Sequence, residues 1–173
     1  MKITTNKVSF DEPLYLESGR LLESYEIAYE TYGELNEDKS NVIVITHALS
    51  GSHHAAGFYE GDRKPGYWDS LIGDGKAIDT TKYFVIASNN LGSCFGSTNP
   101  LSIQKSNGKP YRLKFPILTI SDIVKGQKNL LTHLGIKHVK AVVGGSMGGM
   151  QCLCYAIVSF VEYLVIIVST VVF

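Results

Sequence analysis

The sequence has little cysteine: Cys94, Cys152 and Cys154 are the only three, and Cys152 and Cys154 have no matching ligand pair elsewhere. This small, uneven set excludes a disulfide framework and a zinc site built on paired cysteines. No other metal-ligand pattern is predicted. We expect three free thiols, which is usual for a protein of the reducing cytoplasm.

The sequence also has no excess of either charge, because 16 Lys and Arg balance 16 Asp and Glu. There is therefore no electrostatic reason to expect nucleic acid or an anionic membrane as a partner. Residues 1–22 contain no apolar core of a signal peptide. Residues 152–173 are strongly apolar, but they become β-branched after residue 160, which favours a buried helix and a buried strand over a membrane span.

The order of apolar runs and glycine-rich turns predicts one α/β domain with a mainly parallel sheet and flanking helices. Residues 25–32 alternate in polarity, as in an edge strand of an antiparallel hairpin. Short apolar runs predict buried strands at residues 41–46, 83–87, 136–143 and 164–173. Helices are predicted at residues 68–72, 121–134 and 148–159, with Ser121 as the amino-terminal cap of the second and Gly135 ending it.

The most informative motif is the G-x-S-x-G pattern formed by Gly144, Ser146 and Gly148. An apolar run precedes it and a helix-like run follows, which is the context of a serine nucleophile on a sharp strand-to-helix turn. Small residues must flank such a serine, because the turn brings backbones close together. The alternative is a glycine-rich turn in which the serine is incidental.

A serine nucleophile needs donors that hold the oxyanion formed when it attacks a carbonyl group. One predicted donor is the backbone N–H of Met147, directly after Ser146. The second is the backbone N–H of Leu49, in the loop that follows the strand at residues 41–46.

Such a nucleophile also needs a base, and in this type of fold the order along the chain is serine, acid, histidine. All five histidines (His47, His53, His54, His133 and His138) precede Ser146, and Glu162 is the only acid after it. We expect His47 to shape the loop that carries Leu49, and His53 and His54 to be solvated loop residues. We expect His133 and His138 at the opposite end of the sheet and Glu162 in a linker, so the machinery looks cut off after the nucleophile.

Several segments together resemble the homoserine O-acyltransferases of the α/β-hydrolase superfamily. They are THALSGSHHAAG at 46–57, GYWD at 66–69, GDGKAIDT at 73–80, YFVI at 83–86, NLGSC at 90–94, GST at 96–98, FP at 115–116, TI at 119–120 and GGSMGGMQ at 144–151. The resemblance implies that Ser146 takes the acetyl group of acetyl-CoA and passes it to L-homoserine, in methionine biosynthesis. It also implies that Leu49 and Met147 form the oxyanion hole, and that residues 90–98 and the loop holding Trp68 line the substrate tunnel.

The resemblance further implies acetyl-CoA as a co-substrate without a bound cofactor, a cytoplasmic protein, and a homodimer for the complete enzyme. The family's triad Asp and His and its lid would lie beyond Phe173. We therefore expect residues 1–173 to be the amino-terminal part of a single α/β-hydrolase domain. Two other interpretations stay open, a serine esterase of the same superfamily and a non-catalytic truncated product, as do a succinyl donor and serine as acceptor.

Overall fold

A six-stranded mixed sheet organises the described part of the chain, which comprises residues 3–157 and the backbone of residues 166–169 in a computed structural model. The strands are β1 (Ile3–Phe10), β2 (Leu14–Tyr15), β3 (Leu21–Leu22), β4 (Tyr25–Tyr32), β5 (Val42–Thr46), β6 (Ile72–Gly73), β7 (Ile78–Asp79), β8 (Phe84–Ser88), β9 (Ala141–Gly145) and β10 (Ile166–Ser169). The α-helices are α1 (Ile120–His133) and α2 (Met147–Ile157), and one 3-10 turn covers Arg112–Lys114.

The order of strands in the sheet is β1-β4-β8-β5-β9-β10. The pairs β1–β4 and β4–β8 are antiparallel, whereas β8–β5, β5–β9 and β9–β10 are parallel. The prediction of an α/β fold with a mainly parallel sheet is therefore confirmed. Two further pairs, β2–β3 and β6–β7, form small separate sheets.

The prediction that residues 25–32 form an edge strand is wrong, because β4 lies between β1 and β8. The polar side chains that suggested exposure are instead partnered by β1. The Glu26 carboxylate accepts from Lys7 Nζ and Ser9 Oγ, each at 3.1 Å. Polar alternation in β4 therefore does not mark an edge strand, although the Glu26 side chain is 47% exposed beside β1.

The strand predicted at residues 136–143 begins later and ends later than expected, as β9 at Ala141–Gly145. Ile136 and Val139 are buried against the helices but have no strand pairing. The Ile136 N–H instead donates to the Leu131 carbonyl at 2.9 Å, which continues the turn after α1. An apolar run identifies burial, and it does not distinguish a strand from an irregular buried segment.

Helix α1 confirms the helix predicted at residues 121–134, but its cap is Thr119 rather than Ser121. Thr119 has extended backbone, and its hydroxyl accepts the Asp122 N–H at 3.2 Å while Asp122 Oδ2 accepts the Thr119 N–H at 3.0 Å. This reciprocal pair is a capping box, which leaves Ser121 inside the first turn. Gly135, with φ +69°, follows the end of the helix as predicted.

The short helix predicted at residues 68–72 is absent from the described structure. The N–H groups of Leu71 and Ile72 both donate to the Trp68 carbonyl, at 2.9 and 3.0 Å, and the chain then enters β6. One turn therefore replaces the helix.

Helix α2 confirms the helix predicted after Ser146 as far as Ile157, and β10 confirms part of the predicted terminal strand. The predicted helix end at 158–159, Glu162 and the rest of residues 164–173 lie outside the described residues. Neither α1 nor α2 is long and apolar enough to cross a bilayer. All three cysteines are free.

Two apolar cores cover the two faces of the sheet. Both α-helices pack on one face, over a core that includes Ile27, Val44, Ile86 and Val142. The segment between β5 and β8 covers the other face, where Ala55, Ala56 and Ile72 join sheet residues such as Ile45. Because both faces are covered, a ligand site on this sheet would lie at its edges or at the ends of its strands.

Candidate active site

Three loops leave the carboxyl ends of three adjacent parallel strands. Thr46 at the end of β5 pairs with Gly144 near the end of β9, and β8 lies on the other side of β5. The loops that start at His47, Asn89 and Ser146 therefore emerge at the same end of the sheet. In open parallel sheets this is where ligands bind.

Ser146 occupies the turn between β9 and α2, with an exposed side chain. Its φ is +56°, a left-handed conformation that is uncommon for a residue with a side chain. Such strain persists only where the surrounding structure imposes it, and it clusters at functional sites. The conformation favours a nucleophile turn over a glycine-rich turn with an incidental serine.

The two glycines of the motif are required by close backbone approach. A Cβ at Gly144 would lie 2.1 Å from Thr46 Oγ1, and a Cβ at Gly148 would lie 2.1 Å from the Thr46 carbonyl oxygen. The Thr46 hydroxyl also donates to the Gly148 carbonyl at 2.9 Å. The end of β5 therefore presses directly on the turn, which explains the spacing of the motif.

The residues predicted to donate to an oxyanion, Leu49 and Met147, line the same pocket of about 700 Å³. No hydrogen bond from either backbone N–H to another described residue is found. The Met147 N–H is also the first of helix α2, where the helix dipole favours negative charge. Both groups are thus available to a ligand in this pocket.

The pocket is largely apolar, and most of its wall comes from loops. Its remaining lining residues are His47, Ser50, Asn90, Leu91, Gly92, Ser93, Cys94, Phe95, Phe115, Pro116, Leu118 and Ile123. The predicted contribution of residues 90–98 is thus present for 90–95. Trp68 is not part of this wall and packs against the core on the other face of the sheet.

His47 is buried and has both ring nitrogens engaged. Nε2 accepts the Asn90 N–H at 2.9 Å, so Nδ1 carries the proton and donates to the Ala48 carbonyl at 2.7 Å. Burial lowers the pKa of His47 below its usual range, which keeps the ring neutral. The expectation that His47 shapes this loop through hydrogen bonds is confirmed.

The expectation that His53 and His54 are solvated loop residues is wrong. His54 Nδ1 lies 3.1 Å from Oε2 of the fully buried Glu30, and its ring stacks on Tyr59 with centroids 4.0 Å apart. Burial lowers the pKa of His53, whose Nδ1 has no partner among the described residues. Both rings therefore belong to the packing between the β5–β8 segment and β4.

His133 and His138 lie away from the Ser146 turn. His133 ends α1 and packs edge-on against Phe10, with centroids 5.9 Å apart. His138 precedes β9 and lines a separate depression with Lys39 and Lys140. Within the described part of the chain, no histidine is hydrogen-bonded to Ser146.

Two buried amide side chains that join the pocket residue Asn90 were given no role by the sequence, namely Gln127 and Gln151. The signal was available in α1, where Gln127 stands among the apolar residues Val124, Leu130 and Leu131 of one face. A polar residue on the buried face of a helix must find hydrogen-bond partners. Among the described residues, no cluster of His, Cys, Asp or Glu could hold a metal ion.

Comparison with known proteins identifies the class to which this fold and turn belong. The model of the alpha/beta hydrolase fold family matches residues 41–171. The chain therefore belongs to the α/β-hydrolase family.

Within that family, the sequence is similar to homoserine O-acyltransferases. It is 70% identical over 158 residues to a homoserine O-acetyltransferase of Nautilia profundicola, which covers 91% of this chain and 43% of that protein. It is 54% identical over 156 residues to a homoserine O-succinyltransferase of Halorhodospira halophila, covering 90% and 41%. The chain thus spans less than half the length of the curated relatives it matches.

Solved structures include both transferases and hydrolases. The homoserine O-acetyltransferase of Bacillus anthracis superposes with a TM-score of 0.87 at 37% identity, over 96% of this chain and 46% of that one. The crystal structure of an esterase superposes with a TM-score of 0.86 at 42% identity, over 95% and 47%. The shared architecture therefore accommodates both kinds of acyl chemistry.

Proposed function

We propose that this chain carries the nucleophile and the oxyanion hole of a homoserine O-acetyltransferase. Ser146 is the nucleophile, and the backbone N–H groups of Leu49 and Met147 are the oxyanion donors. The observation that carries the proposal is the left-handed backbone of an exposed Ser146. It directly precedes Met147, whose N–H has no hydrogen-bond partner among the described residues and which lines one pocket together with Leu49. The similarity to homoserine O-acetyltransferases supports the choice of substrate.

The reaction proceeds in two steps. Ser146 Oγ attacks the thioester carbonyl of acetyl-CoA, and the two N–H groups stabilise the tetrahedral oxyanion until the CoA thiolate leaves. The hydroxyl of L-homoserine then attacks the acetyl-serine, a second oxyanion forms in the same place, and collapse releases O-acetylhomoserine and free Ser146. The general base accepts the Ser146 proton in the first step and gives it to the departing CoA thiolate, and in the second step it accepts the homoserine hydroxyl proton and returns it to Ser146 Oγ.

We further propose that residues 1–173 form the amino-terminal part of one α/β-hydrolase domain. The acid and histidine of the triad then lie in the part of the relatives that this chain does not span. Acetyl-CoA is a co-substrate rather than a bound cofactor, and the complete enzyme acts in methionine biosynthesis in the cytoplasm, as a homodimer. This chain covers 43% of the Nautilia profundicola acetyltransferase, which supports its assignment as the amino-terminal part of the domain.

Ester hydrolysis is the second candidate function, and the 42% identity to a crystallised esterase favours it. The proposed turn and oxyanion donors serve either reaction, because water and a substrate hydroxyl attack the same acyl-serine.

To test this proposal, residues 1–157 are fused to the carboxyl-terminal part of the Nautilia profundicola relative. This fusion, the completed enzyme, is then given acetyl-CoA and L-homoserine. The proposal expects one O-acetylhomoserine per CoA released, measured by mass spectrometry and thiol titration. Water-dominated turnover, with free acetate and little O-acetylhomoserine, would establish the esterase instead. Succinyl-CoA and L-serine in parallel reactions determine the donor and the acceptor.

The control for that test is the Ser146→Ala variant of the same protein. It keeps the turn and the pocket but has no hydroxyl, so transfer must fall by several orders of magnitude. Undiminished transfer by this variant would rule out Ser146 as the nucleophile.

A further inference from the structure

A chain of buried amide side chains connects helix α1 to the loop that carries Leu49. Gln127 Nε2 donates to Asn90 Oδ1 at 3.0 Å and to Gln151 Oε1 at 2.7 Å. All three side chains are nearly inaccessible, between 0% and 3% exposed. Gln127 therefore joins helix α1 to helix α2 and to the loop after β8.

Both partners of Gln127 also hold His47, one at its backbone carbonyl and the other at its ring. Gln151 Nε2 donates to the His47 carbonyl at 3.2 Å, and the Asn90 N–H donates to His47 Nε2 at 2.9 Å. Movement of either partner therefore displaces His47.

His47 in turn fixes the peptide group that contains the Leu49 N–H. The Ala48 carbonyl and the Leu49 N–H belong to one planar peptide unit and point in opposite directions. That carbonyl accepts from His47 Nδ1 at 2.7 Å and from the Gly51 N–H at 3.0 Å. With the carbonyl held by two donors, the direction of the Leu49 N–H is determined.

We propose that Gln127 and Gln151 are positioning residues that aim the Leu49 N–H at the oxyanion through His47. This inference rests on the proposed function of Leu49 and assigns no contact with substrate to either glutamine. Apolar side chains in place of Gln127 and Gln151 would cover the sheet equally well. A buried amide group that loses a hydrogen-bond partner, by contrast, destabilises the folded protein. The side-chain hydrogen bonds described for Gln127 lead to Asn90 and Gln151, the two residues that hold His47.

The first test asks whether the network orients the loop, by NMR of the 173-residue chain and its Gln127→Met variant. In the wild-type chain, the ¹⁵N chemical shifts of the His47 imidazole must be those of a neutral ring with the proton on Nδ1. The variant must shift the Asn90 and Leu49 amide protons and speed hydrogen exchange at Asn90 severalfold. Unchanged amide signals in a folded variant would overturn the inference without touching the proposed function.

The second test asks whether that orientation serves catalysis, in the completed enzyme described above. Gln127→Met and Gln151→Met must each lower kcat about tenfold to a hundredfold, with KM for acetyl-CoA within about twofold, because the oxyanion exists only after attack. The double variant must lose little more than either single one, since both act through His47.

The matched control is Leu131→Ala, which removes a buried side chain of the same helix outside the network. It must lower the free energy of unfolding but leave kcat unchanged in the folded protein. A Gln127→Met enzyme with the kcat of this control would show a merely structural role and overturn the inference. If the completed wild-type enzyme transfers no acyl group, the proposed function fails, and the NMR test still decides whether Gln127 orients the Leu49 peptide.

Discussion

At position 146, a serine occupies backbone that glycine would adopt at lower cost. The left-handed conformation costs a non-glycine residue about 1–2 kcal/mol, partly offset by the larger chain entropy of unfolded glycine. Because φ of Ser146 is +56°, the free energy of unfolding of the Ser146→Gly variant should be about 1 kcal/mol higher than that of the Ser146→Ala variant. Urea denaturation of the two variants measures the difference.

The control is the same pair of substitutions at Lys125, an exposed position inside α1. There glycine should be less stable than alanine by about 1 kcal/mol, because helical backbone favours alanine. The same order at both positions would show that the Ser146 backbone is not strained.

The neutral His47 ring makes stability depend on pH. Its pKa lies below the usual 6.5 because the ring is buried, so the unfolded chain binds a proton at a higher pH than the folded chain does. The free energy of unfolding should therefore fall as pH drops below about 6.5, by at most about 1.4 kcal/mol per pH unit for each such group.

Urea midpoints between pH 8 and pH 5 measure this dependence, and His47→Gln should reduce its slope. His53 contributes in the same direction, because burial lowers its pKa as well, so part of the slope should remain in the variant. An unchanged slope after His47→Gln would mean that His47 titrates alike in both states.

The sequence predicts some residues of the site and cannot predict others. Gly144 and Gly148 were predicted because backbone contact with Thr46 leaves no room for a side chain, and such a constraint appears directly as residue type. Gln127 was missed because its partners, Asn90 and Gln151, are 37 and 24 residues away in the chain. Contacts that depend on tertiary packing have no local pattern.

At the scale of elements, the amino-terminal end of α1 offers a direct comparison of two cap assignments. Thr119→Ala removes the side-chain acceptor of the capping box and should cost about 1 kcal/mol, whereas Ser121→Ala should cost little. Thr119→Ser keeps the hydroxyl and serves as the control. Equal losses at Thr119 and Ser121, measured by urea denaturation, would contradict the Thr119 cap.

Element type was more predictable than element position. Strands β5 and β8 coincide with short apolar runs that are bounded by polar residues. Their predicted bounds differ from the observed ones by at most one residue. The edge assignment for β4 failed because the partner strand β1 has a mixed sequence whose Lys7 and Ser9 satisfy Glu26. Sheet order depends on such cross-strand pairs, which the sequence of one strand does not reveal.

For the whole molecule, the proposed nucleophile Ser146 lies at one end of a sheet whose two faces are both covered. The proposed oxyanion donors come from loops after β5 and β9, and the pocket wall also takes in the loop after β8. All three loops lie within the first 147 residues. If the proposed roles hold, the groups that stabilise the oxyanion come from one continuous part of the fold.

The proposed location of the triad acid and histidine outside this chain predicts that Ser146 is correctly placed but weakly reactive in the 173-residue chain. A serine hydroxyl needs a neighbouring base for rapid attack, and loss of the base typically costs about 10⁴-fold or more. A fluorophosphonate probe should therefore label the completed enzyme at Ser146 at least about a thousandfold faster than the chain alone. Peptide mass spectrometry identifies the labelled residue, and Ser146→Ala should abolish labelling in both proteins. Equal labelling rates would mean that a base within these 173 residues activates Ser146.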